Sequence, residues 1–301
     1  MGLGNSSKPT LNKHEGSDGV TVTSELDERD LRILRAISKD WGDAFVKEDL
    51  LPSLASAAKM TSRKVADVKE ALSDPYWFLI LFFKHYAFAR RGKDRDELAN
   101  MAVQAVRDIT TPETIGDILA GADGEAIWEA FERICAENKR KSSEQLNKGI
   151  LAGTIELAQE IAQLGQSGSI ADWVVEGIQR TGRVEPQFLR IVDIRGMGPK
   201  TTSTLLRDLV YLFDLESEVD NVDQLYLQPM DRWVRAIGHE IIPEDVDDRT
   251  PDWVLAGKIS KYSRRARVSG VKFNMGASHF GPRVVRDLLR LDQALEELVS
   301  A

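Results

Sequence analysis

An uninterrupted apolar run, Tyr76-Trp77-Phe78-Leu79-Ile80-Leu81-Phe82-Phe83, constrains this chain more than any other feature. Asp74-Pro75 in front of it reads as the N-cap and first turn of a helix, since Asp accepts from free N–H groups and Pro has none to leave unpaired. Eight residues cannot cross a bilayer. A helix apolar on every face belongs in the middle of a core. The spacing predicts such a helix from Tyr76 to about Arg90, stopped near Gly92.

Helical periodicity continues on both sides. Leu31, Leu34 and Ile37 follow at steps of three behind Ser24 and Asp27, which resemble a capping box, and Val65, Val68 and Leu72 mark a second short helix. Further helices are predicted at about 94–108, 113–120, 124–141, 143–163, 169–180, 186–194, 201–213, 231–239, 251–262 and 282–299. Period-two alternation is nearly absent and no solenoid-length repeat is found, so the expected class is all-α. Residues 1–22 carry little to bury and are expected to be a disordered tail; residues 23–74 are expected to be accessory helices before a main domain spanning 75–301. Asp214, Glu216, Glu218, Asp220 and Asp223 occur with no basic residue between them, which reads as a solvated surface loop.

Composition removes several function classes. Forty Lys and Arg against 48 Asp and Glu give a formal charge of −8, so any nucleic-acid surface must be a local patch. One cysteine, Cys135, excludes a disulfide framework, a multi-cysteine zinc site and a four-cysteine iron–sulfur cluster. With no apolar leader at Met1–Val20, a soluble cytoplasmic protein is expected.

The informative segment is Phe188 to Arg207, within a hairpin expected over 188–213. Leu189, Ile191, Val192 and Ile194 precede Arg195-Gly196-Met197-Gly198-Pro199-Lys200-Thr201-Thr202, and Leu205, Leu206, Leu209, Val210 and Leu212 follow at helical spacing. This is helix, Gly-x-Gly turn, helix. Gly196 and Gly198 permit close backbone approach, and the free N–H groups around Thr201 suit a phosphate. A P-loop fails because Pro199, not Gly, precedes Lys200; a dinucleotide fingerprint fails because Thr201 stands where its third Gly would be. The plain alternative is a helical corner with packing glycines. Downstream, Pro229-Met230-Asp231-Arg232-Trp233-Val234-Arg235 places an Asp at the start of another helix, where it could be an ordinary cap.

Together the two segments resemble the helix-hairpin-helix DNA glycosylase superfamily, also called HhH-GPD. Lys200 and Asp231 stand at its catalytic positions, and their 31-residue separation is closest to the archaeal 8-oxoguanine DNA glycosylase/AP lyase family. The match covers roughly Phe188 to Gly238. The resemblance implies a two-lobed helix-hairpin-helix glycosylase fold with extra N-terminal helices, acting as a monomer on double-stranded DNA containing a damaged base, in a nucleoid-associated setting. It implies no iron–sulfur cluster, and a hairpin of this type can hold a monovalent cation on backbone carbonyls. Trp233 replaces a His of the endonuclease III branch, and Asn274, in Phe273–Gly281, stands in for an acidic residue of the archaeal family's last helix.

The chemistry follows from charge. Glycosidic cleavage builds positive charge on the sugar, which a carboxylate such as Asp231 would stabilise. A neutral amine can attack C1′, and a helix N-terminus, where Lys200 sits, disfavours extra positive charge. The expected course is a Lys200 Schiff base followed by β-elimination of the 3′ phosphate, with an oxidised purine such as 8-oxoguanine as the implied base. If Lys200 only contacts phosphate, Asp231 would activate water instead.

A flipped base needs apolar walls; Trp233, Phe273 and Asn274 are the pocket candidates, with Trp77 and Phe78 unranked alternatives that also read as core. Lys258, Lys261, Arg264, Arg265, Arg267 and Lys272 form the most cationic stretch, from which Lys261, Arg264 and Arg265 are expected phosphate contacts beside the hairpin. His279 reads as structural. The rival functions are a catalytically silent helix-hairpin-helix DNA-binding protein and a glycosylase acting on a modified nucleoside or RNA base.

Overall fold

The computed structural model describes residues 26–88, 95–121, 125–242, 246–247 and 249–300. The expected tail, Ser24, and the helix end near Arg90 and Gly92 lie outside them. Among the described residues the secondary structure is helical throughout, with no strand. The all-α expectation is met.

Helical backbone runs unbroken through Glu28–Ala36, Ile37–Trp41, Gly42–Phe45, Val46–Leu50 and Leu51–Ala57, with wider π-type turns at Ile37–Trp41 and Val46–Leu50. Asp27 is its N-cap, accepting from the Asp30 N–H at 2.7 Å. The apolar helix follows at Pro75–Leu81 and Phe82–Ala87, with Asp74 accepting from the Trp77 N–H at 2.9 Å. From Phe78 to Phe83 no residue is more than 1% exposed, so this helix is the central element expected of it.

Two apolar cores organise the chain. The first gathers Leu54, Val68, Phe78, Phe82, Ile150, Leu205 and Leu209; the second gathers Ile33, Ile37, Val234, Ile237, Leu255, Ile259 and Leu295. Each fully buried side chain of this size contributes roughly 1.5–3 kcal/mol from apolar burial, so both cores are substantial. The accessory helices are expected over residues 23–74. Their described part gives Ile33, Leu34 and Ile37 to the second core and Leu54, Val68 and Leu72 to the first.

Between the cores lies Gly270–Phe280, a helix that the apolar periodicity does not predict. It sends Val271 and Met275 to the first core and Phe273, Ala277 and Phe280 to the second. It crosses the N-terminal helix backbone to backbone: a Cβ on Gly276 would stand 2.1 Å from the Ile37 carbonyl oxygen and 2.9 Å from the Gly42 nitrogen. Ser38 Oγ donates to the Ser269 carbonyl at 3.0 Å beside this crossing. The helix expected over 282–299 is broken, because Arg286 has φ +60°; only Leu291–Ser300 is a regular α-helix.

The acidic stretch is likewise more than a solvated loop. Asp223 is buried and accepts from the Val184 N–H at 2.7 Å, the Glu185 N–H at 2.9 Å and Arg183 Nε at 2.9 Å, so it caps the Glu185–Val192 helix from afar. Burial pushes its carboxyl up, but the Arg183 guanidinium and the two N–H groups outweigh burial and hold it below the usual range. Glu216 accepts from the Val271 N–H at 3.1 Å and from Ser269 Oγ, at the start of Gly270–Phe280.

Candidate active site

The hairpin consists of Glu185–Val192, a turn, and Pro199–Leu212. Gly196 takes φ +99°, a conformation that a side chain would strain, and Gly198 is the extended N-cap residue. Helix Glu144–Gln163 supports the turn, with Gly149 so close that a Cβ would lie 2.7 Å from Arg195 Cβ. Lys200 is therefore the second residue of a fixed helix, with its side chain exposed.

Asp231 is the N-cap of Arg232–Ile241. Its Oδ1 accepts from the Trp233 N–H at 2.7 Å and the Val234 N–H at 2.9 Å. Its Oδ2 accepts from Ser278 Oγ at 2.9 Å. The cap reading is thus correct, but three donors also hold this half-buried carboxylate in one orientation.

Lys200 and Asp231 open onto one cleft of about 380 Å³. Thr201 and Thr204 join Lys200 on the hairpin side, His85 and Tyr86 come from the end of the apolar helix, and Met230 and Arg232 flank Asp231. The cleft therefore has walls from both cores, since Tyr86 belongs to the first and Met230 packs against the second.

Beneath it runs a buried polar chain. Arg207 and Asp208 pair at 2.7 Å, and Tyr86 donates its hydroxyl to Asp208 Oδ2 at 3.2 Å. Arg207 Nη1 donates to Asn274 Oδ1 at 3.0 Å, and Asn274 Nδ2 donates to the Pro229 carbonyl at 3.3 Å. Burial, then the Asp208 carboxylate, push the Tyr86 phenol well above its ordinary value, so it remains a donor. The chain links the hairpin helix to the backbone two residues before Asp231.

The pocket candidates separate. Trp233 is 5% exposed and packs against Gly281, where a Cβ would meet the indole at 2.3 Å. Phe273 is fully buried in the second core. Asn274 is fully buried in the polar chain just described. None of the three is among the residues lining the cleft. Phe78 is core, whereas Trp77 borders a separate surface cavity with Asp67 and Asp74.

Lys261, Arg264 and Arg265 lie on Asp252–Arg265; Lys261 and Arg265 stand over the Tyr262 ring, and Arg264 donates to Gln224 Oε1 at 2.8 Å. Lys272 pairs with Asp43. His279 is buried against Asp49 at 2.8 Å, as a structural histidine would be.

His85, Tyr86, Arg207, Asp208 and Ser278 were missed by sequence reasoning. A signal was available for some of them. Lys84, His85 and Tyr86 come near the end of an otherwise apolar helix, and Arg207-Asp208 interrupts the buried stripe of Leu205, Leu206 and Leu209.

Among the described residues there is no group of three or more His, Cys, Asp or Glu able to hold a metal ion, and no helix long and apolar enough to cross a membrane. Comparison with protein-family models, curated proteins and solved structures gives no significant match.

Proposed function

We propose that this chain is a base-excision DNA glycosylase with AP lyase activity, built as a two-lobed helix-hairpin-helix fold, and that it removes an oxidised purine. One observation carries the reading: an exposed amine at a helix N-terminus and a fixed carboxylate face the same cleft.

The chemistry divides between them. Lys200 Nζ would attack C1′ of a flipped deoxyribonucleotide, forming a C–N bond while the bond to the base breaks and its electron pair leaves with the base. Asp231 would stabilise the positive charge that grows on the sugar and accept the proton released by the amine. Ring opening, with Asp231 handing its proton to the ring oxygen, would give an iminium ion; a 2′ proton then passes to water and the 3′ phosphate leaves with the C–O electron pair. The free N–H groups at Pro199–Leu212 and the cationic side of Asp252–Arg265 would hold the backbone.

The test uses duplexes carrying single oxidised or deaminated bases, incubated with the full chain and sodium borohydride. A covalent protein–DNA adduct that disappears in Lys200→Gln is the expected result. Strand cleavage only after alkali would favour the water mechanism. Binding without cleavage of any lesion would favour the silent DNA-binding protein.

A further inference from the structure

Base removal and sugar opening would occupy two of the side chains that open onto the cleft. Lys200 becomes bonded to C1′, and Asp231 carries a proton from the amine to the ring oxygen. Strand cleavage also needs a base to draw the 2′ proton onward from the water that receives it. Most of the remaining lining groups cannot serve. Burial, then the Asp208 carboxylate, keep the Tyr86 phenol protonated. Arg232 keeps its charge, and the hydroxyls of Thr201 and Thr204 and the thioether of Met230 take no proton at neutral pH. His85 is different, because imidazole changes charge between pH 5 and 8 when unperturbed.

The fold holds this ring at the cleft. His85 lies in Phe82–Ala87, the wider-turned end of the apolar helix, where Phe82, Phe83, Tyr86 and Ala87 are buried and His85 is half-buried. Its Nδ1 is 2.7 Å from Ser53 Oγ, which Leu51–Ala57 brings to it from 32 residues earlier in the chain. The ring stands edge-on to Tyr86, with centroids 4.6 Å apart and planes at 89°. With Nδ1–H donated to Ser53, the lone pair sits on Nε2, the tautomer a base needs.

We propose that His85 is the base of the elimination step, with Nε2 taking a proton from the water that receives the 2′ proton. The C2′–H pair becomes the C1′–C2′ double bond as the iminium pair returns to nitrogen. The enamine then expels the 3′ phosphate with the C3′–O pair, and the imidazolium gives its proton to bulk water. This rests on the lyase reading and deepens it: Lys200 and Asp231 remove the base, and strand cleavage adds His85.

The test starts from a duplex with a preformed abasic site, which bypasses base removal. At saturating full-length protein and single turnover, borohydride trapping follows the Schiff base and gel analysis follows strand cleavage. His85→Gln should form the Schiff base as fast as the wild type and cleave about a hundredfold more slowly. His85→Ala should show the same split, and added imidazole should restore its cleavage in proportion to the neutral form, a response that a structural role would not give. Equal slowing of trapping and cleavage, undiminished cleavage by His85→Gln, or no rescue by imidazole would overturn this role for His85 while leaving Lys200 as the nucleophile. Absence of a trapped adduct with the wild-type protein would instead overturn the lyase reading, and this inference with it.

Discussion

Replacing Gly276 by Ala tests how the candidate site is held. The new Cβ would stand 2.1 Å from the Ile37 carbonyl oxygen and 2.9 Å from the Gly42 nitrogen, both backbone atoms that no rotamer change can move. The two helices must part. Overpacking of a tight contact costs about 1–3 kcal/mol, and the backbone clash puts this site at the upper end. Helix propensity returns about 1 kcal/mol, leaving a net loss of roughly 2 kcal/mol. Gly257→Ala is the matched control, since a Cβ there meets nothing within 4 Å; it should be neutral or stabilise by up to about 1 kcal/mol. Urea unfolding measures both. Gly276→Ala should also impair cleavage beyond its stability cost, because its helix carries Ser278 to Asp231 and Asn274 to Pro229. If Gly276→Ala matches Gly257→Ala in stability, the crossing is not as close as described and the reasoning fails.

Three further outcomes follow from the same geometry. Asp223→Asn should destabilise the fold at neutral pH by roughly 1–3 kcal/mol through the loss of charged acceptors at the Glu185–Val192 cap. Because the folded carboxyl is held low, its contribution is present above the unfolded carboxyl pKa and lost as pH falls through the folded value; acid titration of stability should show a smaller drop in the variant. Asp208→Ala should cost about 3–5 kcal/mol by stranding Arg207, whereas Arg207→Met with Asp208→Leu should cost less, as urea midpoints would show. Ser278→Ala should change stability by no more than about 1.5 kcal/mol yet slow single-turnover cleavage about tenfold, since it frees Asp231 Oδ2.

The hairpin was legible because its punctuation is local. Gly196, Gly198 and Pro199 define the turn from their own backbone requirements, and the expected start at 201 differs from the observed Pro199 by little. Asp74 and Asp231 act as the caps their neighbours imply. What stayed hidden depends on distant partners. Asp223 looks like one more acid in a charged loop until Val184 and Arg183 come to it. Gly270–Phe280 has no single apolar stripe because it faces two cores, and Gly270, Asn274, Gly276 and Ser278 interrupt its pattern. The packed position of Phe273 was hidden for a related reason. An aromatic side chain in a helix gives the same sequence signal whether it faces a cavity or, as Phe273 does, another packed side chain.

Central to the account is that the Lys200 amine itself bonds to the sugar. Reducing the reaction on a lesion duplex with borohydride, digesting the adduct and mapping the modified peptide by mass spectrometry measures this directly. The account predicts the deoxyribose remnant on Nζ of Lys200. A remnant on another amine, or cleaved DNA with no remnant on the protein, would contradict it.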